Sequence, residues 1–323
     1  MKSSRWITFA EIVVIAAVVF LNGLIIQTPL PDTWNWNFLD KFSQAIGDVA
    51  FLDIYLKHNP NSKDGYAARA RAYAVDGIWS EAAKNYDRAI ELDENDLELY
   101  RSRGKALFEL DENERALADF NRITDSGTET PEDLSIISML NSRLGRFDTA
   151  VADANKALAK HAYWSTAFEA RALAEYELGQ YEQAILDSQK SIEMYKERVI
   201  PFVIMAAIFN ERGEDAKAFS LAHEALKRDA TCGAAYWQLG VLQDKQKQFD
   251  TALSSINYAL SLATTDEWRT KALASRALVH LHMNKPRLAL DDCNTALKVN
   301  PLCKAAIDAK KQIESVYTGE KSG

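Results

Sequence analysis

The chain has 323 residues, 47% hydrophobic and 26% charged, which is ample for a folded core. Its net charge of −8 argues against a nucleic-acid partner, because binding phosphates takes a basic face. Three cysteines, Cys232, Cys293 and Cys303, make no disulfide framework, although Cys293 and Cys303 would be a possible pair in an oxidising compartment.

Lys2 and Arg5, within residues 1–5, precede an apolar run over 6–26, WITFAEIVVIAAVVFLNGLII. Its 21 residues match the roughly 20 that cross a bilayer as a helix. Glu11 is the one charge inside it, placed where it reaches the headgroups; the other reading is a contact with a proton or a partner helix. The alternative for the run as a whole is a cleaved signal peptide. That would need an apolar core of about 7–15 residues ending at a small-x-small site, which Ile25-Ile26-Gln27-Thr28-Pro29 does not offer. The expectation is therefore an uncleaved signal anchor. Lys2 and Arg5 keep the start cytoplasmic and place the remainder on the exported side, periplasmic if the cell is bacterial. Trp34 and Trp36 suit either the membrane interface or the core of the first helix pair.

Residues 32–62 read as a degenerate opening repeat, with Trp36, Leu39 and Phe42 on one helix and Val49, Leu52 and Leu56 on a second. Seven better copies follow at 63–96, 97–130, 131–164, 165–198, 199–232, 233–266 and 270–303. In the copy at 165–198, Phe168, Arg171-Ala172 and Glu175 share one helical face, and Ala184, Ser188 and Ser191 share another. The alanine opening the second helix recurs at Ala82, Ala116, Ala150, Ala184, Ala218 and Ala252, every 34 residues, and 37 later at Ala289. Turn glycines return at Gly77, Gly145, Gly179 and Gly213, where a left-handed residue ends a helix. Residues 264–268 form the one insertion, 304–317 a capping helix, and 318–323 a tail.

The motifs Tyr236-x-x-Leu239-Gly240 with Ala252-x-x-x-Ile256, and Tyr66-x-x-Arg69-Ala70 with Ala82-x-x-x-Tyr86, resemble those of the tetratricopeptide repeat (TPR) family. Asn300-Pro301 and Asn59-Pro60 resemble its closing turn. The resemblance implies an all-α fold, a right-handed superhelical solenoid of TPR helix pairs, and the apolar run over 6–26 is expected to precede it as one transmembrane helix. It also implies a scaffold that binds a protein or peptide on the concave face of its leading helices. A family subset clamps a terminal carboxylate with lysines and asparagines; Ile136 and Ala170 occupy places where that clamp needs polar side chains.

A search for chemistry finds little. His280 and His282 lie two apart on a helix and point to different faces, and His223-Glu224 lacks the second histidine of a zinc protease motif. No glycine-rich phosphate loop is present, and the repeats occupy the chain from about Asp32. No enzyme, cofactor, metal or small-molecule substrate is expected. One regularity is chemical: Arg103, Arg171 and Arg276 are each followed 16 residues later by Asp119, Asp187 and Asp292. Met205 and Leu239 replace the arginine where Leu221 and Ser255 replace the aspartate, which reads as a charge pair between two helices. Arg69 meets Asn85 at the same spacing, and Asp153 faces Ile137.

By offset the groove residues are Arg71, Arg101 and Lys105, then Ile136 and Met139, Leu173 and Tyr176, Val203 and Ala207, and Trp237 and Val241. The groove should be basic at one end and apolar in the middle. Trp237 is expected to be an exposed anchor for a partner, with coverage by the cap or by the insertion carrying Trp268 as the alternative. The function expected is a membrane-anchored adaptor supporting an exported or envelope-associated assembly. The alternative is a membrane segment active through Glu11 and Asn22, which the repeats only position.

Overall fold

A computed structural model describes residues 49–263 and 265–319. Sixteen α-helices and no strand occur among the described residues. The run over 6–26 and the first helix of the opening repeat lie outside them, as do Thr264 and the last four residues. Among the described residues no helix is long and apolar enough to cross a membrane.

The described residues fall into two compact units, one ending at Ile123 and the other beginning at Thr124. The first holds α1 (Val49–His58), α2 (Lys63–Val75), α3 (Trp79–Leu92) and α4 (Leu97–Glu109). Helix α5 (Asn113–Asp125) runs across the boundary. The second unit holds α6 (Pro131–Arg143), α7 (Phe147–Lys160), α8 (Ser165–Glu177), α9 (Tyr181–Met194), α10 (Ile200–Glu211) and α11 (Asp215–Arg228). It continues with α12 (Gly233–Lys245), α13 (Phe249–Ser261), α14 (Asp266–His282), α15 (Pro286–Val299) and α16 (Lys304–Gly319). Even-numbered helices α2 to α14 lead each pair, and odd-numbered ones trail.

Caps fix where the leading helices begin. Ser62 and Asp96 accept from the backbone N–H of Gly65 and Glu98, and Thr130 and Asp133 form a capping box in front of Pro131. The insertion supplies the first turn of α14, capped by Thr265, so that helix has 17 residues where α12 has 13.

The turns share one geometry. Gly77, Gly145, Gly179 and Gly213 have φ of 72–73°, and Asp111, Lys247 and Asn284 take the same left-handed place at φ 60°, 62° and 56°. After each, the next N–H donates to the carbonyl five residues back, as in Ile78 to Tyr73 and Gln180 to Glu175, both at 2.8 Å. This bond closes the end of each leading helix.

Small residues bring the two helices of a pair together. All seven alanines from Ala82 to Ala289 are fully buried. A Cβ at Gly104 would come within 2.9 Å of the Phe120 ring, and one at Gly240 would collide with Ile256. At the far end, α16 buries Ala306, Ala309 and Ile313 and exposes Lys311, Gln312 and Glu314. Such a face closes a repeat stack toward water. Cys232, Cys293 and Cys303 are buried free thiols.

Candidate functional site

The arginines hold each pair together. Arg103 donates to Asp119 through Nε at 2.8 Å and Nη2 at 2.6 Å, and Arg276 to Asp292 at 2.9 and 2.6 Å. Arg171 makes the same two bonds to Asp187, and Arg69 bonds Asn85 at 2.8 Å. The carboxylate partners are nearly buried, and the bond to Asp119 raises the Arg103 pKa, so that guanidinium stays charged. Asp153 accepts instead from Asn141 and Lys156.

Each guanidinium also reaches back to the preceding trailing helix, through Nη1. Arg69 meets Asp53, Arg103 meets Asp87, Arg171 meets Asn155, and Arg276 meets Asn257. These partners lie 16 residues before the arginine, or 19 where the insertion intervenes. Sequence reasoning missed them, although a polar residue stands at that place in every copy. In the cap, Lys310 bonds Asn294 at the same 16-residue spacing.

In the first unit, Arg71, Arg101 and Lys105 are half-buried, and Arg101 is ion-paired with Glu98 on its own helix. In the second unit, Ile136, Met139, Leu173, Tyr176 and Val241 are half-buried. Val203 and Ala207 do not belong to a binding surface: they are 4% and 5% exposed. Helix α10, IPFVIMAAIFNE, is apolar nearly all round and packs against α8, α9, α11 and α12, so residues 201–208 are all buried.

One bridge was not foreseen. Lys271 on α14 lies 3.0 Å from Glu177 at the end of α8, joining leading helices 94 residues apart in sequence. Both side chains are 27% exposed. Tyr176 sits among Glu177, Glu211 and Lys271, and burial pushes its hydroxyl up to about 12. The C-terminal ends of successive leading helices are tied as well, Lys245 to the Asn210 carbonyl at 2.9 Å and His282 to Asp244 at 2.9 Å. His280 turns elsewhere, 3.8 Å from Asp292.

Trp237 is not an exposed anchor. Its indole N–H donates to Ser275 Oγ at 2.8 Å, and its ring meets the Trp268 ring edge-on at 5.5 Å. The alternative weighed for this residue, coverage by the segment carrying Trp268, describes the geometry. Trp237 and Trp268 line an apolar cavity of about 170 Å³ with Ile200, Cys232, Ala234 and Ala272.

Among the described residues, then, the chain is an α-solenoid: helix hairpins stacked through small residues and locked by arginines. A family model described as the TPR repeat matches residues 70–111. Residues 70–111 are thus a tetratricopeptide-type repeat, and the described residues have the all-helical TPR solenoid fold, a scaffold suited to protein–protein interaction. The chain is similar in fold to a tetratricopeptide repeat protein from Parabacteroides merdae ATCC 43184, at 15% identity over 78% of this chain and 98% of that one, with a TM-score of 0.58. It is also similar to a chain of the APC/C hetero-tetramer Cut9-Hcn1, at 16% identity over 85% of this chain and 58% of that one, with a TM-score of 0.52. No curated protein matches the sequence.

Proposed function

We propose that this protein is a membrane-anchored scaffold that holds a polypeptide partner against the leading helices of its second unit. The observation that carries the reading is an apolar row on those helices. Met139 on α6, Leu173 on α8 and Val241 on α12 stand at the repeat period, half-buried, on helices whose other sides are held by hydrogen bonds and ion pairs. Half-buried apolar side chains on a rigid support suit a partner contact, because ordering them on binding loses little entropy. The anchor would be residues 6–26, with the start cytoplasmic and the repeats on the exported side, in service of an exported or envelope-associated assembly.

The test is photo-crosslinking in native membranes, with a photoreactive amino acid at Met139 or Leu173 and, as control, at Leu186, which is 50% exposed on trailing helix α9. One polypeptide trapped from Met139 and Leu173 but not from Leu186 is the expected result. Equal trapping at all three, or none, overturns the reading. For topology, a reporter fused after Gly323 should be active only on the exported side.

A further inference from the structure

The cavity beside Trp237 is built rather than left over. Its floor and walls are small: Gly233, Ala234, Ala259, Ala263 and Ala272, and two indoles define its edges. The Trp237 ring is fixed at its nitrogen by Ser275 and by a T-shaped contact with Trp268. At about 170 Å³ it slightly exceeds the roughly 150 Å³ apolar cavity that takes up benzene. Its walls are mostly apolar, and a space of that size accommodates one leucine- or phenylalanine-sized group.

The rim carries charge. Lys271 Nζ stands 5.7 Å from the Trp268 ring centroid, and its partner Glu177 arrives from α8, three repeats earlier. An ion pair with both members about a quarter exposed contributes little and exchanges readily for an equivalent carboxylate.

We propose that the second unit recognises an extended peptide of another protein in which an aliphatic or aromatic side chain neighbours a carboxylate. The apolar group fills the cavity between Trp237 and Trp268, and the carboxylate takes Lys271 from Glu177. This specifies the partner class of the scaffold reading and rests on it. The arrangement sets selectivity at two points at once: Ala and Gly side chains leave the void unfilled, and a cation beside the apolar group meets Lys271 as a like charge. The Glu177 bridge is then an internal competitor that keeps weakly matching segments out.

The experiment uses the full chain in detergent and follows the Trp237 and Trp268 indole N–H resonances by NMR. The probes are decapeptides with a central Leu-Glu, Ala-Glu or Leu-Gln in a Gly/Ser background. The Leu-Glu peptide should shift both indoles. Replacing its leucine by alanine should weaken binding about tenfold, and replacing its glutamate by glutamine about threefold. Glu177→Gln should strengthen the Leu-Glu peptide about threefold, and Lys271→Gln should erase the difference between Leu-Glu and Leu-Gln. Ala234→Leu, which fills the cavity, should erase the difference between Leu-Glu and Ala-Glu. If Ala234→Leu fails to fold, Lys271→Gln still decides the charged half, and the Leu-to-Ala peptide exchange decides the apolar half.

Equal binding of the three peptides, or unmoved indoles, overturns the proposal. So do indole shifts that grow with protein concentration alone, which would seat a second copy in the cavity. A polypeptide trapped from Leu173 while the indoles ignore the peptides would sink this inference and leave the scaffold reading standing; no trapping at Leu173 sinks the reading beneath it.

Discussion

Arg171 joins Asp187, 16 residues ahead, through Nε at 2.5 Å and Nη2 at 2.9 Å, and turns Nη1 back to Asn155, 16 residues behind. One side chain therefore ties α8 to its own trailing helix α9 and to the preceding trailing helix α7. Repeat stability is a sum of intrinsic and nearest-neighbour terms, and this guanidinium serves both.

The next repeat supplies a natural replacement, since Met205 and Leu221 stand where Arg171 and Asp187 do. Arg171→Met alone should destabilise by about 3 kcal/mol, because it strands the buried Asp187. Adding Asp187→Leu should recover most of that loss, because an apolar pair of similar volume removes the uncompensated charge. Chemical denaturation of the two single variants and the double one measures the coupling. Additive losses would show that the pair is not a unit.

This relationship was half legible in the sequence. The forward spacing from arginine to aspartate repeats three times and covaries with its apolar replacements. The backward partners, Asp53, Asp87, Asn155 and Asn257, occupy a place held by several polar types, so no single residue type flagged them. The fold was legible for a simpler reason: one 34-residue unit is written seven times, and a stack of helix pairs is the way to bury its faces. The candidate groove was less legible, since offset says which way a side chain points but not what covers it. Val203 has the offset of a groove residue and is buried because α10 is apolar on its remaining faces too. The Glu177–Lys271 bridge depends on how the stack curves over three repeats, and no local pattern encodes that.

Glu175 should make stability depend on pH. It is 6% exposed, 3.7 Å from Arg171, and its carboxyl is pushed up to about 7 by burial first and by the charge of Asp187 second. The folded state thus holds this proton more tightly than the unfolded chain, whose value is 4.5. Below about pH 4.5 there is no penalty, and stability is lost progressively as pH rises toward 7. Glu175→Gln should stabilise the protein at pH 8 by about 2 kcal/mol, and should change little at pH 5. Denaturation midpoints of both proteins across that range test it; a constant difference at all pH values would refute the assignment.

The turn after α12 holds a lysine in a left-handed conformation, Lys247 at φ 62°, where four other repeats use glycine. Non-glycine residues there carry strain of about 1 kcal/mol or more, and asparagine and aspartate tolerate it better than lysine. Lys247→Gly should therefore raise stability by about 0.5–1 kcal/mol, after allowing for the greater freedom of glycine in the unfolded chain. Gly179→Ala, at φ 73°, should lower it by about 1 kcal/mol. Paired thermal melts decide the matter, and a destabilised Lys247→Gly would show that the lysine side chain outweighs its backbone strain.

Trp237 gives the most direct contrast between an exposed anchor and a wall. An exposed anchor would be removed at little cost to folding and at large cost to binding. The geometry says otherwise: the indole N–H is satisfied by Ser275, the ring meets Trp268 edge-on, and it packs on the cluster of Ala252, Ile256, Ala272 and Val279. Trp237→Ala removes all three contributions and enlarges an existing cavity, so it should destabilise by about 3 kcal/mol. Trp237→Phe keeps most of the apolar contact but leaves Ser275 Oγ without its donor, a loss of about 1 kcal/mol. Ser275→Ala should show a similar small loss, and should cost less in the Trp237→Phe background, where only its bond to the Lys271 carbonyl remains to be lost. The losses should fall on the region between α12 and α15, since contacts in a repeat stack act on nearest neighbours. Amide hydrogen exchange in the Trp237→Ala protein reads this directly: protection should fall in α12 to α15 and hold in α6 to α9. Unchanged protection and an unchanged melting temperature in Trp237→Ala would return the tryptophan to the role of an exposed anchor.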